Sequence, residues 1–303
     1  MAIYKASKTL DAIEKSIEKD QGAAYRGFLE KIIPTVGDAY DSSPPEPRSH
    51  LGASIIGQEC HRAIWYGFRW YKAPKFSGRM IRLFNRGHLE EARFVAILLT
   101  IGCEVYQQDA NGKQFRISAS GGHFSGSLDS VIKGIPDLPA DLPCLGEFKT
   151  HNDASFNKLV KGGVKESKPE HYVQMQIYMR YMNLTVAIYM AVNKNNDEIW
   201  AELIPLDSEF ADGYSEIAEG IVFQNTPPRK LSTSPGFWKC RYCDFRGICH
   251  LGEPADINCR TCLFSKPQAD GSWVCKKHGH LLSKKEQLLG CGDYEASTKI
   301  VSD

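Results

Sequence analysis

The sequence predicts an α/β fold: a central mixed sheet flanked by helices, with a small C-terminal metal-binding appendage. Three observations predict it. Short strand-like segments separated by turns and a helical stretch fill residues 103 to 206. Longer runs with apolar residues at helical spacing stand on either side of that region. Six of the ten cysteines crowd between 240 and 291, where apolar periodicity fades.

Taken in order, residues 5–33 read as one amphipathic helix ending before Pro34. Residues 41–48, rich in serine and proline, form a linker-like break. Across 54–71, Trp65, Tyr66, Phe68, Trp70 and Tyr71 interleave with basic residues. A helix over 80–101 carries Ile81, Phe84, Phe94, Val95 and Leu98 at its apolar positions and stops at Gly102. Strands follow at 103–106, 114–118, 123–132 and 145–150, the last two joined by the turn-rich 133–143. Pro169 opens a helix over 169–182. Two more strands, 184–192 and 198–206, surround an Asn-rich turn, and 208–224 reads as a helix. A Pro-rich boundary lies near 226, and no internal repeat is visible. The implied organisation is an N-terminal helical segment (1–50), a main domain (51–252) and a cysteine-rich module (253–303).

The 303-residue chain is 42% hydrophobic, enough for a sizeable core. No apolar run approaches the roughly 20 residues that cross a bilayer. The charged N-terminus lacks a signal-peptide core, so a cytoplasmic protein without membrane partners is expected. In that reducing setting, CxxC spacing points to metal rather than disulfides. The net charge of +1 argues neither for nor against nucleic acid. Local clusters do occur. From Arg62 through Arg69, Lys72, Lys75, Arg79, Arg82 and Arg86 no acid intervenes until Glu90, and Arg229, Lys230, Lys239 and Arg241 form a second group. Such clusters track phosphates; a solvated face balanced by acids elsewhere explains them equally well.

The chemistry-bearing pattern is a carboxylate pair with a lysine. HFSGSLDSVI sets Asp129 late in a strand, and CLGEFKT presents Glu147 and Lys149 two residues apart, on one strand face. If the strands pair, the three side chains share a pocket. Two carboxylates suit a hard divalent ion, Mg²⁺ or Mn²⁺, which lowers the pKa of bound water and neutralises charge building on a phosphate. Lys149 would orient that water or support the developing charge. Alone, the string also fits a surface salt bridge. Two further features add to it. His88, on the 80–101 helix, offers an imidazole ligand or a plain surface role. Gln174 and Tyr178, four apart on a helix, set an amide and a phenol on one face.

The order His88, Asp129, Glu147-x-Lys149, Gln174-xxx-Tyr178 resembles the RecB-like branch of the PD-(D/E)xK nucleases, which includes the RecB and AddB nuclease domains and the CRISPR-adaptation nucleases. The resemblance spans roughly 50–250. It implies that His88, Asp129 and Glu147 bind the catalytic metal, that Lys149 is catalytic, and that Gln174 and Tyr178 support the site and substrate. It implies a restriction-endonuclease-like core.

Cys240, Cys243 and Cys249 form a C-x₂-C-x₅-C run one ligand short of a tetrahedral site. With Cys60 upstream, they resemble the iron–sulfur subset of the same family, which implies a structural [4Fe–4S] cluster. Zinc is the alternative occupant, and His250 would then replace Cys60. Arg62, Trp65, Tyr66 and Arg86 are DNA-binding candidates, since arginine and stacked rings suit single strands; a core role for Trp65 and Tyr66 is the competing reading. Farther on, Cys259, Cys262, Cys275 and Cys291 have zinc-site spacing, with His278 competing for the fourth place. This module, with Lys276, Lys277, Lys284 and Lys285, would bind DNA or a protein, or be a folded tail. Cys103 and Cys144 read as small buried hydrophobes.

The expectation is a Mg²⁺- or Mn²⁺-dependent deoxyribonuclease. The family likeness implies an exonuclease acting on single-stranded or end-containing DNA. Its implied setting is recombination, repair or replication in a bacterium or phage-infected cell, alongside proteins of those processes. The alternatives are a catalytically silent DNA-binding adaptor and a partner-dependent CRISPR-adaptation nuclease.

Overall fold

A computed structural model describes residues 3–42 and 46–297. Residues 43–45 of the linker-like break lie outside the described residues. The helices are α1 (Ser7–Asp20), α2 (Ala23–Ile32), α3 (His61–Phe68), α4 (Gly78–Thr100), α5 (Asp153–Ser167), α6 (Pro169–Met182) and α7 (Ser208–Phe223), then the short α8 (Trp238–Arg241), α9 (Arg246–His250) and α10 (Lys284–Gln287). The strands are β1 (Leu51–Gly52), β2 (Glu104–Tyr106), β3 (Arg116–Ala119), β4 (Phe124–Ser127), β5 (Ser130–Lys133), β6 (Cys144–His151), β7 (Val186–Asn193), β8 (Ile199–Pro205), β9 (Ser265–Pro267), β10 (Trp273–Cys275) and β11 (His280–Leu281).

The chain folds as two compact units that interleave along the sequence. The first takes Met1–Pro44, Phe76–Ile117 and Ser127–Ala211; the second takes Pro45–Lys75, Ser118–Gly126 and Asp212–Asp303. Each draws on three stretches of the chain.

The first unit is built on a five-stranded mixed sheet, ordered β2-β5-β6-β7-β8, with β6 and β7 parallel and the other pairs antiparallel. Every residue of β7 is buried, as expected of a strand covered on both faces. The C-terminal half of α4 lays Phe94, Val95 and Leu98 into the core, where Phe94 stacks on Phe148 at 5.1 Å. Cys103 and Cys144 are buried in the same core, 4% and 0% exposed. Gly146 lets β5 and β6 approach: a Cβ there would meet Ser130 Oγ at 2.3 Å and Ile132 Cδ1 at 2.6 Å.

Several elements differ from the sequence reading. The single helix over 5–33 is two, because Gln21 and Gly22 take positive φ (52° and 79°). Asp20 then accepts from the N–H groups of Gly22, Ala23 and Ala24, closing one helix and starting the next. The strand over 123–132 is interrupted between β4 and β5, and Asp129 sits in the gap. The helical stripe of α4 is buried only in part: Ile81 and Phe84 are 56% and 41% exposed. Helix α5 had no counterpart in the sequence reading.

In the second unit, β1 pairs in parallel with β4, Leu51 opposite Phe124. The buried side chains of α3 are Arg62, Ile64, Trp65, Tyr66 and Phe68. The 253–297 stretch contains the three-stranded sheet β11-β10-β9.

Candidate active site and cysteine clusters

Strand pairing builds the acidic site of the first unit. Antiparallel register sets Ser130 opposite Gly146, so Asp129, one residue back, meets Glu147, one residue on. The backbone N–H of Phe148 donates to Asp129 Oδ2 at 2.9 Å, holding the carboxylate at the end of β5. Glu147 and Lys149 project from one face of β6, as spacing alone requires. Lys149 Nζ hydrogen-bonds Glu147 Oε1 and lies 4.0 Å from Asp129 Oδ2. One cation thus bridges both acids.

Burial and charge shape this cluster. Glu147 is 0% exposed, and its Oε2 has no hydrogen-bond partner among the described residues. Burial pushes its carboxyl up to about 7, against the pull of Lys149 and with the push of Asp129. For Lys149, burial disfavours the ammonium, but Glu147 and Asp129 outweigh it and the net shift is upward. The Gln174 amide lies within hydrogen-bonding reach of both the Glu147 carboxyl and the Tyr178 hydroxyl. Gln174 and Tyr178 are 7% and 2% exposed. Burial, then the charges of Glu147 and Asp129, raise the Tyr178 phenol. The sequence-predicted Asp129, Glu147, Lys149, Gln174 and Tyr178 therefore come together.

One residue was missed. Glu91 on α4 is pushed up to about 8 by burial, then by Asp129, with Lys149 opposing and Glu147 adding to the rise. It therefore stands in the field of the same cluster. His88 lies three residues earlier, on the same helical face. Its Nδ1 is buried without a partner among the described residues. The His-x-x-Glu spacing was the available signal.

Among the described residues, no three His, Cys, Asp or Glu side chains stand close enough to hold an ion as they are placed. The donor chemistry nonetheless suits a hard divalent ion: hard oxygen donors from two acids, an orphaned buried Glu147 oxygen, and the orphaned buried imidazole nitrogen of His88.

Behind Lys149, Tyr189 Oη contacts His151 Nε2 at 2.8 Å and His171 Nδ1 at 2.9 Å, the three rings roughly stacked. Burial lowers His151 to about 4 and His171 to about 3, and the positive charge of Lys149 adds to both shifts.

In the second unit, Cys60 immediately precedes α3, while Cys240, Cys243 and Cys249 lie in and around α8 and α9. The thiols sense one another. Burial raises Cys240, and Cys60 and Cys249 add to it; Cys243 is raised by burial, with Cys60 and Cys249 again contributing. Arg62 Nη1 points at Cys249 Sγ (3.9 Å), and its Nε donates to Pro228 O. Cys259, Cys262, Cys275 and Cys291 line one small pocket with His278.

The nucleic-acid candidates divide. Trp65 is 0% exposed and its Nε1 donates to Gln224 O at 3.0 Å; Tyr66 is 2% exposed within a ring cluster with Tyr71 and Phe245; Arg62 is 5% exposed. Buried rings offer no face to a base, and the buried Arg62 guanidinium is spent on Pro228 O, so these three have structural roles rather than the expected DNA contacts. Arg86 is exposed. Near it on α4 are the exposed Ile81 and Phe84, with Phe76 edge-on to Phe84 at 5.0 Å, and the exposed Arg79 and Arg82.

No family model matches the chain, and no curated protein matches it. Solved structures do resemble it. The crystal structure of SSO0001 matches with a TM-score of 0.39 and 18% identity, covering 73% of this chain and 94% of that one. The alkaline exonuclease LHK-Exo from Laribacter hongkongensis matches at 0.42 and 15% identity, covering 58% and 87%. The same protein in complex with dAMP matches at 0.42 and 16%, covering 57% and 86%. Separately, no described helix is long and apolar enough to cross a membrane.

Proposed function

We propose that the protein is a Mg²⁺- or Mn²⁺-dependent deoxyribonuclease that hydrolyses phosphodiester bonds, working from ends or on single strands. The observation that carries this reading is the meeting of Asp129 and Glu147 on the Lys149 ammonium, with one Glu147 oxygen left without a partner among the described residues. End-directed cleavage rests on the ordered motif resemblance.

In this reading Asp129 and Glu147 hold the divalent ion, Glu91 on α4 lies in their field, and His88 is the further ligand offered one turn earlier on that helix. When bound, the ion supplies Lewis-acid charge to the phosphate and lowers the pKa of water. The chain's own groups do the rest. Lys149, kept protonated by its two acids, stabilises negative charge as the phosphate is attacked. Asp129 is held in place by the Phe148 N–H, and Gln174 by its position between Glu147 and Tyr178. The exposed Phe84 and Phe76 rings with Arg79, Arg82 and Arg86 suit a flexible strand, where bases stack and phosphates meet guanidinium groups.

The proposed role of Cys60, Cys240, Cys243 and Cys249 is to hold a [4Fe–4S] cluster that joins two distant segments of the second unit. Brown protein with iron and sulfide together supports it; colourless protein with zinc replaces the iron assignment and leaves the nuclease reading intact.

Digestion of end-labelled single- and double-stranded oligonucleotides with each divalent ion tests the function. Wild type should cut with Mg²⁺ or Mn²⁺, while Asp129→Ala and Lys149→Ala should not. Equal behaviour of all three removes catalysis from this site; if all three are inert, the reading that remains is a DNA-binding adaptor.

A further inference from the structure

The 253–297 stretch has a 3-10 turn at Cys259–Thr261, three strands of two or three residues, and the four-residue α10. Its large buried apolar side chains are few, Trp273 and Leu282 among them. Such a segment needs more than a core to hold one shape.

Its four cysteines line one pocket, although as placed they do not stand at ligand distance from a common ion. The Cys262 N–H donates to Cys259 O (3.1 Å) and the Ser265 N–H to Cys262 O (3.2 Å), so the CxxC turn is tightly wound. Strand pairing sets Cys275 opposite Ser265, three residues from Cys262. A second turn follows Cys275, closed by Gly279 N–H to Cys275 O at 2.8 Å. Cys259, Cys262, Cys275 and Cys291 all line one pocket, shared with His278 and Asp293. His278 is otherwise engaged, its Nε2 3.3 Å from Asp293 Oδ2, two residues after Cys291.

A second, independent observation points to missing negative charge. Arg69 is 0% exposed, and its Nη1 donates to the carbonyls of Arg260 and Ser265 at 3.0 and 3.3 Å. Its Nε and Nη2 have no partner among the described residues, and no described carboxylate is bonded to it. Indole rings of Trp65 and Trp273 flank it at 5.0 and 5.4 Å. A buried guanidinium without an anion is costly. Its two acceptors tie it to the cysteine turn, since Arg260 lies between Cys259 and Cys262 and the Ser265 N–H closes on Cys262 O.

We propose that Cys259, Cys262, Cys275 and Cys291 bind one Zn²⁺ ion as four thiolates, that Arg69 is the buried counter-cation of this centre, and that His278 positions the Cys291 turn through Asp293. Four thiolates around a divalent ion carry a net charge of about −2, which supplies the anion Arg69 lacks. Soft sulfur donors in tetrahedral number select zinc over a hard ion. This centre is independent of the phosphodiester chemistry, and its failure would leave that reading standing.

The test is thiol alkylation of the whole native chain, loaded with Zn²⁺ alone and read cysteine by cysteine by mass spectrometry. Cys291 is solvent-exposed, so only a ligand protects it. It should resist alkylation together with Cys259, Cys262 and Cys275, and all four should become reactive when a chelator removes the metal. His278→Ala should retain the protected set, and Arg69→Met should weaken zinc retention about tenfold or more. Cys291 reacting as fast with zinc as without it overturns the four-thiolate assignment. Unchanged zinc retention in Arg69→Met overturns the counter-cation role. Wild-type labelling decides the ligand set even where a variant does not fold.

Discussion

The Asp129 carboxylate takes a hydrogen bond from the Phe148 backbone N–H at 2.9 Å, which fixes it beside Glu147 without using a side-chain donor. The bond exists because β5 and β6 are in a register that puts Ser130 opposite Gly146. Lys149 is then the cationic side chain that reaches both acids, and its proton stays put.

Lys149→Met should separate ion binding from chemistry. Removing the ammonium leaves both acids, so Mn²⁺ should still bind, while turnover falls by roughly 10²–10⁴-fold. Calorimetric Mn²⁺ titration beside a single-turnover digestion reads both quantities. Loss of ion binding as large as the loss of turnover would show that the lysine is needed to build the site.

Ion affinity should rise with pH. Burial and like charge hold the Glu91 carboxyl at about 8 and Glu147 at about 7, so both are partly protonated near neutrality without an ion. An arriving cation must displace those protons, and affinity should drop as pH falls from about 8 towards 6. For the ion-free protein the sign is opposite: the folded state holds protons that the unfolded chain releases above about 4.5, so stability should decline as pH rises through 7 and 8. Melting curves with and without Mn²⁺ check both limbs; Glu91→Gln should flatten the ion-free one.

Acid should destabilise the fold through the histidines behind the site. His151 and His171 are depressed to about 4 and about 3 against an unfolded value near 6.5. The unfolded chain takes those protons first, so stability is complete above about 6.5 and is lost as pH falls towards 4. His171→Gln should melt with a shallower acid limb than wild type. An unchanged limb would assign the acid loss elsewhere.

Strand binding should depend on the exposed half of α4. Arg82→Ala and Arg86→Ala should each lower single-strand affinity and reduce its salt dependence, since each removes about one phosphate contact. Phe84→Ala should cost about 1–3 kcal/mol of binding with the salt slope intact. Fluorescence anisotropy across a salt series separates the two effects.

Gly146→Ala should destabilise the sheet by about 1–3 kcal/mol, because the added methyl meets Ser130 and Ile132. Chemical denaturation measures it.

What the sequence revealed depended on how local the cause was. Pro169 and Gly102 mark helix ends through their own backbone chemistry, and α6 and α4 begin or end beside them. Glu147-x-Lys149 is legible because a strand repeats every two residues. The Asp20–Gly22 break was hidden by good apolar spacing on both sides, although DQGAA carries a cap and a glycine. Trp65 and Tyr66 looked like a stacking platform because composition cannot tell a core ring from a surface one. Their partners include Gln224, 159 residues away from Trp65. Helix α5 was missed because it is kinked at Gly163, where φ is 69°.

Everything proposed for the site depends on Asp129 and Glu147 sharing one divalent ion. Mn²⁺ titration of Asp129→Asn against wild type tests it most directly, because the amide keeps an oxygen to accept from Phe148 and leaves the fold in place. Wild type should bind with the pH dependence given above, and the variant should lose most of that affinity. Equal affinity in the two proteins would contradict it.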